Sequence, residues 1–280
     1  MPIFESNAKI NLGLEVLFKR EDGFHEINTI FTKICLSDEI SVEPAKELTV
    51  QCIPSLKIPQ EKNLAFMAGK IIQKYYDCKS KAAKIDIKKK IPDGGGLGGG
   101  SSNAATVLIA LNKLWEINAP INDLQKIALE LGSDVPFFMK DRAAIGQGKG
   151  EILEYFDLKL PYHILLICPG IKIPTAWAYE QLKKSSETKK GTDLKTLCLN
   201  HITNPEFLKK NLKNDFEETV FGEYPELKNI KKKLYQNCAD FALMSGSGST
   251  MYGLFSNMKN LKKAESAFNN YKTHICTKIP

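Results

Sequence analysis

Six glycines fall within the seven residues Gly94–Gly100, where only Leu97 carries a side chain. Ordering such a run is costly in backbone entropy, so a plain linker accounts for it poorly. It lies directly before Ala104–Trp115, which is dense in strong helix formers with Val107, Ala110, Leu111 and Leu114 on one face. A glycine loop that opens a helix aims backbone N–H groups and the helix N-terminus at one spot, an anion site and most simply a phosphate site. Ser101 and Ser102 add hydroxyls able to cap the helix, touch a phosphate or reach a bound Mg²⁺. The run does not spell G-x-x-x-x-G-K-[ST], and no H-R-D or D-F-G triplet accompanies it, which sets aside the P-loop and protein-kinase patterns. Gly94, Gly96 and Gly99 do satisfy G-x-G-x-x-G. The preceding Lys84–Lys88 alternates apolar and charged residues, however, whereas a dinucleotide site follows a buried, fully apolar strand.

Few side chains elsewhere are placed for phosphate chemistry. Lys9 lies among alternating Ile10, Leu12 and Leu14, so on a half-buried strand its ammonium must lean into a cleft or reach water. Asp134 follows Gly132, which ends a helical stretch over about Asp123–Leu131 with Asn122 as its cap. It precedes Pro136, a residue suited to a first helical turn, where the dipole keeps a carboxylate ionised. It reads equally as a plain N-cap. Asn63 stands ahead of Leu64, Met67, Ala68, Ile71 and Tyr75, the spacing of a capped helix. His25 follows the Asp22-Gly23 turn and reads as a turn histidine or a polar contact. Ser245-Gly246-Ser247-Gly248-Ser249 separates two apolar runs within Ala239–Phe255 and reads as a hairpin turn or a binding loop.

The remaining sequence supplies the frame. Phe24–Ile34, Glu39–Val42, Lys84–Ile91 and Tyr162–Cys168 read as strands, and Leu261–Tyr271 as a last amphipathic helix. Gly146–Gly150 reads as a loosened stretch, and Lys183–Lys195 as a loop. At 280 residues the chain exceeds the usual size of one core, so two domains are expected, 1–157 and 158–280. The net charge of +7 is scattered, with runs at Lys88–Lys90 and Lys231–Lys233 that read as solvated faces. That suits an anionic small molecule better than nucleic acid, which needs one basic stripe. Seven irregularly spaced cysteines without a C-x-x-C favour a reducing compartment over disulfides or a zinc knuckle. No h-region opens the chain and no apolar run approaches a membrane span, so a cytoplasmic enzyme or binding protein, monomer or homodimer, is expected.

Three segments together resemble the motifs of the GHMP kinases: Asn7-Ala8-Lys9-Ile10-Asn11-Leu12, Pro92–Asn103 and Ser245-Gly246-Ser247-Gly248. Adding Asp22-Gly23-Phe24-His25, Gly132–Phe138, Pro169-Gly170 and Pro174-Thr175, the chain is similar, nearly throughout, to members acting on a cytidylylated methylerythritol in the non-mevalonate isoprenoid route. The resemblance implies an α+β fold of two domains, an N-terminal one like ribosomal protein S5 with a left-handed βαβ unit at the glycine loop, and a ferredoxin-like C-terminal one. It implies an active site in their cleft and transfer of the γ-phosphoryl of ATP, with Mg²⁺, to the acceptor's 2-hydroxyl. Lys9 and Asp134 would then be catalytic, Asp134 taking the hydroxyl proton. Pro92, Asp93, Gly94, Gly95, Gly96, Leu97, Gly98, Gly99, Gly100, Ser101 and Ser102 would bind ATP phosphates, with Ser101 or Ser102 reaching Mg²⁺ and Asn63 near the adenine. Phe24 and Tyr179 would sandwich the cytosine, His25 would hold its edge, and Asn11, Ser247 and Gly248 would lie near the acceptor. Two positions depart from the usual pattern: Asp93 replaces a hydrophobic residue, and Phe24 a tyrosine. The competing readings are another GHMP kinase, for homoserine or mevalonate, and a non-catalytic nucleotide-binding regulator on the same fold. Asp22–His25 argues against the first as a base-recognition segment, and the presence of Lys9 and Asp134 against the second.

Overall fold

A computed structural model describes residues 2–182 and 190–279. The elements run in the order β1 (Ile3–Lys19), β2 (His25–Pro44), β3 (Thr49–Ile53), α1 (Leu64–Tyr75), β4 (Ala83–Lys88), α2 (Gly99–Leu114), α3 (Ile121–Leu129), β5 (Ala143–Gln147), β6 (Ile152–Phe156) and β7 (His163–Cys168). There follow α4 (Thr175–Gln181), α5 (Leu194–His201), α6 (Pro205–Asn211), α7 (Phe216–Glu223), α8 (Pro225–Gln236), β8 (Phe241–Met244), β9 (Met251–Phe255), α9 (Met258–Ser266) and β10 (Lys272–Cys276). The mixture is the expected α+β class. By compactness the chain forms two units: residues 1–8, 36–93 and 98–141, and residues 9–35, 94–97 and 142–280. Both are discontinuous in sequence, so they cut the chain differently from a boundary between 157 and 158.

In the first unit, β4 alternates buried Ala83, Ile85 and Ile87 with outward residues. It pairs antiparallel with β2, Ile40 opposite Ile87 and Val42 opposite Ile85. On its other side β3 runs parallel to it, joined through α1. A βαβ unit therefore leads into the glycine run. α1 buries Ala65, Phe66, Ala68, Gly69 and Ile72, a stripe at helical spacing that packs on α2. A Cβ at Gly69 would come within 2.8 Å of the Leu48 side chain, which would have to shift to admit it.

The second unit holds the antiparallel sheet β10-β7-β9-β8. Leu165, Ile167, Met251 and Phe255 share its core with Phe216, Leu227, Ile230 and Leu234 of the helices, and with Leu14 and Val16 of β1. β5 and β6 form a hairpin, and β5 pairs with residues 29–31 of β2.

Several local expectations need correction. α2 begins at Gly99 rather than Ala104, because Gly98 takes a left-handed conformation (φ +69°) and serves as the N-cap. α3 starts after Pro120 and ends at Leu129, which leaves Asn122 inside the helix. The expected restart at Ser133–Pro136 is a single 3₁₀ turn, Pro136–Met139. Gly146 and Gly148 are not loosened chain. Gly146 belongs to β5, and Gly148 (φ +68°) makes the turn into β6. The last helix stops at Ser266, where i→i−3 hydrogen bonds from Ala267, Phe268 and Tyr271 turn the chain into β10. Of the stretch read as a loop, 183–189 lies outside the described residues, and Leu194–Lys195 open α5. Nor are both lysine runs solvated. Lys89 is ion-paired with the fully buried Asp38, and Lys231 with Glu217.

Candidate active site

The central part of the glycine loop belongs to the second unit. Its carbonyls are turned into protein. Gly95 O accepts from the Thr250 N–H (3.2 Å), Gly96 O from the Ser245 hydroxyl (2.9 Å) and Leu97 O from the Lys9 N–H (2.9 Å). Positive φ recurs at Gly94 (+68°), Gly96 (+75°) and Gly98 (+69°). Successive N–H groups in such alternating backbone form an anion-binding concavity. A Cβ at Gly96 would sit 2.1 Å from Ser245 O, so the two backbones meet there with no room for a side chain. Leu97 is buried and anchors the loop.

Lys9 is 4% exposed. Its Nζ donates to Asn11 Oδ1 (2.7 Å) and lies 5.2 Å from the centre of the Phe31 ring. The Asn11 amide donates to Thr29 Oγ1 (2.9 Å), and that hydroxyl donates to Gly13 O (2.6 Å). The fully buried Tyr252 hydroxyl donates to Asn11 O (2.8 Å). Burial pushes the Tyr252 pKa well above its usual value, which keeps the hydroxyl a donor. Lys9 and Asn11 are therefore held from both side chain and backbone.

The turn between β8 and β9 touches both groups. A Cβ at Gly246 would lie 3.3 Å from Gly96 O and 3.6 Å from Asn11 Oδ1. Ser247 Oγ is 3.0 Å from Thr175 Oγ1 at the start of α4, and Gly248 packs against Ile173 and Met244. Asn214, 3% exposed, donates from Nδ2 to Met244 O and Gly246 O, both at 2.8 Å.

The residues expected to read a base, Phe24, His25 and Tyr179, occupy another part of this unit. His25 stacks on Tyr179, with centroids 5.0 Å apart and planes 18° apart, and Tyr179 meets the edge of Phe216 at 4.9 Å. Burial, with the charge of Lys19 adding to it, holds the His25 pKa below its usual value. Phe24 is 51% exposed, with Lys149 Nζ 4.5 Å above its ring, and Asp22 caps its N–H (3.1 Å). The ring on Tyr179 is thus His25.

The other candidates belong to the first unit. Asn63 caps a helix, as expected of it. Its Oδ1 caps α1 through the Ala65 N–H (2.9 Å), and it lines a cavity of about 230 Å³ with Val50, Cys52, Leu56, Ile58 and Gln60. Ser102 is buried, with Ser6 Oγ 2.8 Å from its hydroxyl and 2.7 Å from Asn103 Oδ1. Ser101 is the less buried of the two serines, while Asp93 is exposed and Pro92 and Asp134 are half-buried. Asp38 accepts from Lys89 Nζ (2.5 Å) and from the N–H groups of Lys90 (2.6 Å) and Ile91 (2.9 Å), fixing the strand end just before Pro92. Lys89 reaches back to Gly99, where a Cβ would lie 3.4 Å from its Nζ. The sequence reading passes over Asp38, Thr29, Asn214 and Tyr252. Each is a long-range partner of backbone and carries no local signal.

The GHMP kinases N terminal domain pattern matches residues 63–142, and the GHMP kinases C terminal pattern residues 200–274. The chain is similar to 4-diphosphocytidyl-2-C-methyl-D-erythritol kinase of Chlorobium phaeobacteroides (strain BS1), 39% identical over 96% of this chain and 93% of that one. It is also similar to the same-named protein of Thermodesulfovibrio yellowstonii, 38% identical over 94% and 93%. Among solved structures, a 4-(cytidine 5'-diphospho)-2C-methyl-D-erythritol kinase superposes with a TM-score of 0.84 at 31% identity, over 98% of both chains. The Methanococcus jannaschii mevalonate kinase superposes at 0.73 with 16% identity over 100% of this chain and 98% of that one, a likeness of fold alone.

Proposed function

The chain belongs to the 4-diphosphocytidyl-2-C-methyl-D-erythritol kinases, within the GHMP kinases, and on that premise we propose that it transfers the γ-phosphoryl of ATP to the acceptor's tertiary 2-hydroxyl. It is a small-molecule kinase of the methylerythritol phosphate route to isoprenoids. The observation that carries the ATP reading is the glycine loop. With the carbonyls of residues 95–97 taken up by protein and φ positive at every second residue from 94 to 98, the peptide N–H groups are free to converge on phosphate. The reading gives the adenine the cavity beside Asn63.

Phosphoryl transfer to an alcohol is chiefly positioning and charge neutralisation. Lys9, oriented by Asn11 and backed by Phe31, supplies fixed positive charge for the transferred phosphoryl. Asp134 takes the hydroxyl proton. The Mg²⁺ that accompanies ATP neutralises β- and γ-phosphate oxygens when bound. Among the described residues no group of three or more His, Cys, Asp or Glu could hold a metal, and the residues fit a metal carried mainly by phosphates. Ser102 already contacts Ser6, so Ser101 is the hydroxyl assigned to it. His25, Tyr179 and Phe24 read the cytosine, while Ser247 and Gly248 border the acceptor. The sequence domains 1–157 and 158–280 and a cytoplasmic location complete the reading. Among the described residues no helix is long and apolar enough to cross a membrane. The test is coupled ADP release with the cytidylylated methylerythritol against mevalonate, homoserine and galactose. Turnover of the first alone is expected, and equal turnover of any other refutes the assignment.

A further inference from the structure

We propose that Asn214 is a positioning residue for ATP: it sets the turn between β8 and β9 so that this turn holds the glycine loop in its phosphate-binding form. The proposal rests on the reading of that loop as the phosphate cradle.

Asn214 is buried where β1 meets the chain ahead of α7. Leu14 pairs with it in a parallel bridge, and Asp215 accepts from the Val16 N–H (3.0 Å). Its Oδ1 accepts from the Phe216 N–H (3.0 Å). The amide orientation is fixed by these partners, since a carbonyl oxygen facing Met244 O and Gly246 O would be repelled. One nitrogen thus spends both hydrogens on two carbonyls that flank Ser245. Ser245 in turn donates its hydroxyl to Gly96 O, and Thr250, at the far side of the turn, donates its N–H to Gly95 O. The route from the Asn214 amide to the glycine loop is two hydrogen bonds long, and Asn214 and Ser245 on it are both buried. It acts through Ser245, whose carbonyl oxygen is the atom nearest to a Cβ at Gly96, whereas Ser247 has Thr175 as its side-chain partner. Nucleotide binding should therefore depend on Asn214 more than acceptor binding does.

The experiment measures the dissociation constants of a Mg²⁺–ATP analogue with a non-transferable γ-phosphate, and of the cytidylylated acceptor, for the full chain and five variants, four single and one double. Asn214→Asp replaces two donors with a carboxylate oxygen facing two carbonyls. It is expected to weaken the nucleotide at least tenfold and the acceptor no more than about threefold. Asn214→Ala should show the same split more mildly, and it serves if the carboxylate variant does not fold by circular dichroism. Ser245→Ala should weaken the nucleotide, and combining it with Asn214→Ala should cost less than the sum of the two, because both act through one turn. Should neither Asn214 variant fold, unchanged nucleotide affinity in Ser245→Ala overturns the proposal. Gly96→Ala perturbs the loop directly. If it loses nucleotide while folded Asn214 variants keep it, or if those variants lose both ligands equally, the proposal is wrong and the cradle stands. If Gly96→Ala also keeps the nucleotide, the cradle itself is refuted, and the proposal with it.

Discussion

Replacing Asp38 by Asn should destabilise the protein through Lys89, not through the residue changed. The Asp38 side chain is fully buried and that of Lys89 is 8% exposed. Asn keeps an oxygen for the N–H groups of Lys90 and Ile91 but removes the charge facing the ammonium. Breaking a buried pair by removing one partner costs about 3–5 kcal/mol, mostly as the penalty on the stranded charge. The slight exposure of Lys89 puts the expectation at the low end, about 3 kcal/mol. At roughly 2–4 °C per kcal/mol this is a fall of about 6–12 °C in the melting midpoint. Differential scanning calorimetry of Asp38→Asn and of Asp38→Asn with Lys89→Met separates the causes. The double variant should recover more than half of the loss, since the stranded charge has gone. A loss below ~1 kcal/mol in the single variant, or a double variant no better than the single, would refute this account of the pair.

Asp134→Asn should lower kcat by roughly 10²–10⁴ with ATP affinity near normal, and a variant keeping most of its kcat removes Asp134 as the proton acceptor. Gly98→Val places a branched residue at φ +69° on the N-cap of α2 and should abolish ATP binding by calorimetry in a folded protein. Tyr179→Ala should raise the acceptor KM at least ~5-fold, from the lower bound of base stacking, and leave ATP largely unaffected. His25→Ala should weaken the preference for the cytosine form over the uracil form; normal KM and preference in both variants would place the base elsewhere. Because burial, assisted by Lys19, lowers the His25 pKa from 6.5, the imidazole is neutral at pH 7. The unfolded ring takes its proton first, so stability from the neutral form is present above pH 6.5 and is lost as pH falls from there toward the folded value. Acceptor KM should accordingly stay flat from pH 8 to 6.5 and rise only below, a limb that should vanish in His25→Ala.

What could be read from sequence was what a short stretch decides by itself. Asn63 caps α1 because an Asn before an apolar helical stripe has few better uses. The alternation in β4 appears as written, since one face packs against helices and the other meets water. Where a distant partner decides, local reading failed. The Lys88–Lys90 run looks solvated until Asp38, some fifty residues away, is placed beside Lys89. Gly146 and Gly148 look like loose chain, yet one sits in a strand where a Cβ would strike Phe31 and the other makes a hairpin turn. The last helix, read over Leu261–Tyr271, ends at Ser266, and Lys272–Cys276 went unread as β10 because it carries no strand signal beyond its pairing with β7. In the candidate site, the residues bearing chemistry were visible as motifs. The residues that orient them, Thr29, Asn214 and Tyr252, act on backbone carbonyls, and nothing beside them in sequence says so.

The three anchored carbonyls of the glycine loop also bear on how fast a nucleotide can bind. Ordering a residue's backbone costs about 1–2 kcal/mol, so residues 95–97 represent roughly 3–6 kcal/mol, or a factor of about 10²–10⁴ in dissociation constant. Here Thr250, Ser245 and Lys9 hold those residues, so that cost is met when the chain folds. The cradle is preorganised, and association need not wait for the loop to arrange itself around its ligand. A stopped-flow trace of nucleotide binding should then show one concentration-dependent phase, without the slow, concentration-independent step that a loop ordered by its own ligand would add.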